Sequence, residues 1–270
     1  MSGIDLRIKK LFNDKKNIVL SAIDHVIMYG DQQGLEDSRK AIINCLDTDA
    51  LLLSRFSLKR NWDLFAGKNK PMPVVRINWS AAYYYPLNYQ KGYTEIAATV
   101  EDAVEAGAEL VISSLFLENN DQEMETKNVK LFSEVVRQKE KLGIPLIGEC
   151  YVVEHIELTP DLLYKKVKRV SRIMAELGAD MVKIFYTDNF AEIVKNTPVP
   201  VFSIGAEKLN TDLDVLKKAY NTINAGAKGI VFGRNIFMAN NPSKIIAALN
   251  DVINSNLKPE DAIKKYNLDV

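Results

Sequence analysis

The stretch LLYKKVKRVSRIMAELGADMVKIFYT, residues 162–187, changes period halfway along its length. Up to Leu177 its apolar residues recur at the i, i+3, i+4, i+7 spacing of an amphipathic helix. Gly178 stands where a helix C-cap favours glycine. From Ala179 onward the chain becomes a short apolar run with the character of a buried strand. This helix–glycine–strand unit decides the fold because it recurs. Strand-like runs are NIVLSAID (17–24), DALLLS (49–54), PVVRINWS (73–80), AELVISSLF (108–116), IPLIGECYVV (144–153), ADMVKIFYT (179–187), VPVFSIGA (199–206) and GIVFGRN (229–235). Between them YTEIAATVEDAVEAGA, KNVKLFSEVVRQKEKLG and LDVLKKAYNTINAGAKG carry the helical period.

Strands alternating with helices argue for parallel βαβ units. Eight such units in about 250 residues match an α/β protein of the (β/α)8 TIM barrel class. The rival, a doubly wound open sheet, usually has fewer strands and a glycine-rich turn after the first. Here that turn reads DHVIMYGDQQG and contains no GxGxxG. The expectation is a single barrel domain over 1–270, with a short helical extension at about 255–270.

Composition narrows the partners. Of 270 residues 47% are hydrophobic, enough for a large core, and 35 basic residues balance 35 acidic ones. No basic tail or run points to a nucleic acid. No stretch approaches the roughly 20 apolar residues that span a bilayer, so no membrane partner is expected. The opening MSGIDLRIKKLF does not resemble a secretory signal. Two cysteines, Cys45 and Cys150, cannot form a disulfide framework and read as small core residues. Together these predict a soluble, cytoplasmic protein. With only His25 and His155 present, no zinc or iron cluster is expected, and the metal assignment is none.

In a barrel the chemistry sits at the carboxyl ends of the strands. The candidates there are Asp24 and His25 on the first strand, Ser54 and Arg55 on the second, and Arg76, Asn78 and Ser80 on the third. Glu149 and Tyr151 follow on the fifth, Lys183 on the sixth, Ser203 and Gly205 on the seventh, and Gly233 and Arg234 on the eighth. Side chains alternate between axis and helix layer. If Val182 and Ile184 face the helices, Lys183 points inward with Met181 and Phe185. Desolvation disfavours an ammonium, and a neutral amine is a nucleophile that forms a Schiff base with a carbonyl. The competing readings are a lysine paired with an interior carboxylate, Glu149 or Asp24, or one that binds a substrate phosphate.

SIGAEK (203–208) and FGRNIF (232–237) each bring a small residue to a strand end, followed by Lys208 or Arg234. At the last two strands of a barrel that pattern fits a phosphate site built from Ser203, Gly205, Ala206, Gly233 and Arg234. The rival is a pair of ordinary tight turns. Asp24 and His25 read either as an acid/base pair or as a cap on the next segment. Tyr151 is placed to pass a proton and Glu149 to tune the lysine. His155 is expected to face solvent from a loop. Trp79 and the run Tyr83-Tyr84-Tyr85 read as mouth-lining or as simple packing.

These motifs resemble the lysine-dependent aldolases of the archaeal-type fructose-bisphosphate aldolase family, a group related to the deoxyribose-phosphate and tagatose-bisphosphate aldolases. AIDH (22–25) resembles the D-H-G motif after the first strand, and GADMVKIFYT the segment whose lysine carries the Schiff base. VPVFSIGAEKL resembles the strand-seven phosphate loop, and AGAKGIVFGRNIF the last strand and its phosphate turn. DHVIMYGDQQGLE and GRNIFMANNP are most similar to a thiolase branch of the family, which passes an acetyl group to coenzyme A. The resemblance implies a class I aldolase acting on a phosphorylated small molecule, with Lys183 as Schiff-base former and Asp24 as acid/base partner. Gly205, Gly233 and Arg234 become phosphate binders. It implies no cofactor, with coenzyme A a co-substrate only if the thiolase reading holds. It also implies a homo-oligomer, such as a decamer of stacked rings. A non-catalytic sugar-phosphate sensor is the third reading. The chain departs from the family pattern at Val26 (usually Gly), at Ala206 (the second glycine of the loop), and at Glu149, which replaces the tryptophan of Trp-x-Tyr. Tyr151 matches the tyrosine of that motif.

Overall fold

A computed structural model describes residues 2–83, 89 and 91–269. The first elements are α1 (Gly3–Phe12), β1 (Ile18–Ala22), α2 (Val26–Tyr29), α3 (Ser38–Asn44), β2 (Ala50–Leu53) and α4 (Arg55–Arg60). Next come β3 (Met72–Arg76), β4 (Asn78–Ser80), β5 (Thr94–Ile96), α5 (Val100–Glu105), β6 (Leu110–Leu115), α6 (Gln122–Leu142) and β7 (Leu146–Cys150). The chain continues through α7 (Pro160–Leu177), β8 (Met181–Ile184), α8 (Phe190–Asn196), β9 (Val201–Ile204), α9 (Asp212–Asn224) and β10 (Gly229–Phe232). It ends in α10 (Arg234–Phe237), α11 (Pro242–Asn254) and α12 (Pro259–Tyr266).

Eight of the strands close into a parallel barrel in the order β1-β10-β9-β8-β7-β6-β3-β2, the (β/α)8 fold expected from the sequence. The unit quoted above folds as its period dictates. Thr159 caps α7 through its side chain, Pro160 occupies the first turn, and Gly178 ends the helix at φ 111°, donating back to Met174 and Ala175. No described helix is long and apolar enough to cross a membrane. The helix in the tail, α12, packs on α9 and α11. Cys45 and Cys150 are free and buried, and burial pushes their thiols up to about 11 and about 12.

One run divides. PVVRINWS was expected as a single strand, yet the barrel strand stops at Arg76, and Asn78–Ser80 pairs antiparallel with Thr94–Ile96 outside the barrel. The cause is the Asn78 side chain. Its amide receives the Ser114 N–H at 2.9 Å and donates to the Ser114 carbonyl at 3.0 Å, taking the place of backbone at the end of the ladder. YTEIAATVEDAVEAGA is likewise not helical throughout. A reciprocal capping box between Thr99 and Asp102 starts α5 only at Val100.

Side-chain alternation sorts the core into two layers. Val19, Leu51, Val75, Val111, Val182 and Ile184 face the helices. Leu20, Leu52, Val74, Ile112, Ile147, Met181 and Phe202 fill the lower barrel interior with Leu11 of α1. At the carboxyl ends of the same strands the inward residues turn polar.

Candidate active site

Parallel register brings the polar residues together. Glu149 pairs with Lys183 across β7 and β8, and with Ser114 across β6 and β7, so the three side chains stand side by side on the inner face. Lys183 Nζ donates to Glu149 Oε1 at 2.5 Å. The other carboxylate oxygen, Oε2, receives Arg76 Nη1 at 2.7 Å and the Ser114 hydroxyl. Arg76, at the end of β3, also donates through Nη1 to Ser114 Oγ at 2.8 Å and the Tyr83 hydroxyl at 2.9 Å. Its Nε donates to Asp24 Oδ2. Asp24, Arg76, Glu149 and Lys183 are all buried, and every charge has an opposite partner, the condition under which burial of ions is tolerated.

The lysine therefore combines two of the expectations. It points inward with Met181, and it is paired with an interior carboxylate, not isolated. Burial alone would raise the Glu149 carboxyl. The Arg76 guanidinium and the Lys183 ammonium outweigh it and hold Glu149 well below the usual carboxylate range. Burial pushes the phenols of Tyr83 and Tyr151 well above theirs. Tyr151 lies edge-on to Tyr83 at 5.1 Å and shares a hydrogen bond with Tyr29. It stays protonated on the cavity wall.

These groups line a cavity of about 80 Å³, room for several waters. His25 also lines it, but its Nδ1 lies 3.8 Å from Asp24 Oδ1 and has no hydrogen-bond partner. Arg76, not His25, is the hydrogen-bond partner of Asp24. Burial lowers the His25 imidazole to about 4, with the Asp24 charge pulling the other way. A Cβ on Gly233 would collide with His25 Cε1 and come within 2.8 Å of the Ala22 carbonyl, so that position has room only for glycine.

The carboxyl ends of β9 and β10 give a mixed result. Gly205, Ala206, Gly233 and Arg234 line the cavity. Ser203 does not. Phe202 and Ile204 are the residues of β9 that point inward, and Ser203 is fully buried on the opposite face. The Gly205 N–H donates to Val231 O at 3.0 Å and is consumed by the barrel ladder. Lys208 is not among the residues lining the cavity, and Arg234 is ion-paired with Glu207.

His155 was expected in solvent, yet it lines the cavity. Its ring packs on Phe185 at 4.6 Å, and its Nδ1 lies 2.9 Å from the Val152 carbonyl. The β7–α7 loop folds back over the barrel mouth and carries it inward. Trp79 donates its indole N–H to Ile27 O at 2.8 Å, a packing role. Tyr83 is a cavity wall, while Tyr84 and Tyr85 lie outside the described residues. Ser54 caps α4, and Arg55 pairs with Asp102 and Glu105 away from the cavity. Three participants went unrecognised in the sequence: Ser114, Glu207 and Tyr29. Ser114 alone had a usable signal, a polar residue two positions beyond the inward Ile112.

Several known proteins resemble this chain in sequence or fold. An archaeal fructose-1,6-bisphosphate aldolase, solved with its catalytic lysine covalently bound to the carbinolamine intermediate of its substrate, superposes with a TM-score of 0.79. It is 24% identical, over 93% of this chain and 99% of that one. An uncharacterized aldolase of Saccharolobus solfataricus is 30% identical over 98% of this chain and 99% of its own length. The 3-hydroxy-5-phosphonooxypentane-2,4-dione thiolase of Yersinia pseudotuberculosis is 29% identical over 98% of this chain and 86% of its own. Residues 63–239 match the family described as DeoC/LacD family aldolase, and to that family this chain belongs.

Proposed function

We propose that the protein is a class I aldolase that makes or breaks a carbon–carbon bond in a phosphorylated ketose or related sugar phosphate through a Schiff base on Lys183. The observation that carries this reading is the position of Lys183 Nζ, lining the cavity beside Glu149 Oε1 at 2.5 Å. Glu149 holds Lys183 at the cavity wall; as a substrate ketone enters, the ammonium passes a proton to cavity water, and the freed amine attacks the carbonyl carbon. The carbinolamine loses water, with a proton from Tyr151, and leaves a protonated imine. That imine draws in the electron pair of the bond between its α- and β-carbons and becomes an enamine, while Asp24 takes the proton of the β-hydroxyl, releasing an aldehyde. The enamine takes that proton back from Asp24 at carbon and becomes an imine again; water adds to it, giving a proton to Tyr151, and the carbinolamine collapses to free the lysine. Arg76 holds both carboxylates in place. The phosphate end lies toward the β9 and β10 turns, where Arg234 stands.

A lysine Schiff base needs no metal, so the reaction is expected to survive chelator. We also place the protein in the cytoplasm. Borohydride in the presence of a phosphorylated ketone such as dihydroxyacetone phosphate is expected to leave a reduced covalent adduct on Lys183, read by peptide mass. Lys183→Ala is expected to lose the adduct and at least about a thousandfold in turnover. Full turnover in Lys183→Ala would end the reading.

The likeness to the thiolase supports a second reading, in which the same lysine activates a phosphorylated dione and coenzyme A accepts the acyl group. The product separates the two, an acyl-coenzyme A in one case and a free aldehyde in the other. Tight binding of sugar phosphates without any turnover would instead support a sensor.

A further inference from the structure

An acid stands in the middle of the residues assigned to phosphate. Glu207, two positions after Gly205, lines the cavity, and its Oε2 accepts from Arg234 Nη1. Its Oε1 lies 3.9 Å from His155 Nε2. The described lining is therefore balanced. Arg76, Lys183 and Arg234 face Asp24, Glu149 and Glu207, three charges of each sign with the two histidines left aside. Arg76 and Lys183 are committed to Asp24 and Glu149 within the buried network. Arg234 is the cation that remains for a ligand, and Glu207 occupies it.

The turn that presents Glu207 is anchored from behind. Ala206 holds φ 57°, a left-handed conformation that tilts the next residue toward the cavity. Lys218 Nζ donates to Gly205 O at 2.8 Å, and Asn235 Nδ2 donates to Glu207 O at 3.1 Å. The backbone has no need to move, while the Glu207 side chain, 55% exposed, has solvent to rotate into. Arg234 also keeps a buried Nε without a hydrogen-bond partner. An anion with three oxygens can satisfy a guanidinium that one carboxylate oxygen leaves half used.

We propose that Glu207 sets the affinity and selectivity of this subsite by standing in for the ligand: its carboxylate holds Arg234 in the empty cavity, and the phosphate-class end of the substrate binds by displacing it. A phosphate dianion gains charge and hydrogen bonds in that exchange. A carboxylate only swaps like for like, so Glu207 favours phosphorylated over carboxylated ligands. The inference rests on the phosphorylated-substrate reading above.

The test is a calorimetric titration with inorganic phosphate and with acetate, on the wild-type protein, Glu207→Gln, Arg234→Gln and the double variant. Glu207→Gln is expected to bind phosphate about five- to tenfold more tightly and to lose part of the preference over acetate. The gain is expected to vanish in the Arg234→Gln background. Unchanged or weaker phosphate binding in Glu207→Gln would overturn the proposal. So would a gain that persists without Arg234, or the absence of phosphate binding to every variant. Glu207→Ala answers the same question should Glu207→Gln fail to fold. Borohydride trapping of an unphosphorylated ketone on Lys183 reads the Schiff base independently, so failure of the lysine chemistry and failure of the Glu207 exchange are seen apart.

Discussion

The lower and upper halves of the barrel interior are built by the same strands and the same inward face, yet they have opposite character. On β3, β6, β7 and β8 the inward residues below are Val74, Ile112, Ile147 and Met181. Two positions on, about 7 Å along a strand, they are Arg76, Ser114, Glu149 and Lys183. On β1 the step runs from Ala22 to Asp24. Below, each inward side chain gains by leaving water. Above, each charge loses hydration and is tolerated because a neighbour supplies the opposite charge. The two layers therefore respond to damage in different ways. The lower one loses contacts piecemeal, and the upper one loses a compensation that several residues share.

The hardest blow to that contrast is Arg76→Met. It keeps most of the volume but leaves Asp24 and Glu149 buried without the cation that bridges them. Removing one member of a buried charged network costs about 3–5 kcal/mol. Urea denaturation should show a loss of that size. Turnover and borohydride trapping should fall with it, because Glu149 is no longer held on Lys183. A variant with unchanged stability would mean that the two carboxylates are not charged in the folded protein.

Acid sharpens the same contrast. Burial holds His25 at about 4, and Lys183, Arg234 and Arg76 all disfavour its charged form, against Asp24 alone favouring it. The unfolded chain takes up the proton near 6.5 while the folded one does not. The stabilising contribution is thus fully present above 6.5 and is lost as pH falls toward 4. The difference corresponds to about 3 kcal/mol. Glu149, also depressed, adds a further loss below the ordinary glutamate range of about 4.3. Urea midpoints should drop steadily from pH 7 to 4. His25→Asn should flatten the upper part of that decline and leave the lower part, whereas an unchanged slope in His25→Asn would place the responsible group elsewhere.

How much of this could be read in advance follows from the same alternation. The eight barrel strands show because each is a compact apolar run bounded by a helix whose period and glycine end are visible, as at Gly178 and Gly143. Lys183 and Glu149 show because a charged residue inside such a run has to face the axis. Ser203 misleads because VPVFSIGA is apolar or small on both faces, and a strand buried on both sides carries no alternation to orient it. His155 and Glu207 sit in loops, where direction is set by tertiary contacts: Phe185 under one, and the left-handed Ala206 beside the other. The Asn78 amide that ends β3 is invisible until its partner strand β6 is in place.

The mildest probe is Ile147→Val, which tests whether the two layers are separable at all. Ile147 lies directly beneath Glu149 on the inward face of β7 and is fully buried among Ile112, Met181 and their neighbours. Deleting one methylene there should cost about 1 kcal/mol. No charge loses its partner, and β7 keeps its register with β8, so Glu149 should still meet Lys183. Turnover per folded molecule should stay within about twofold of wild type, and the decline of stability with acid should keep its shape. A large fall in turnover would show that the lower packing positions the ion network and that the interior behaves as one unit. A small fall would confirm that a single pleat of the strand divides the part that holds the barrel closed from the part that reacts.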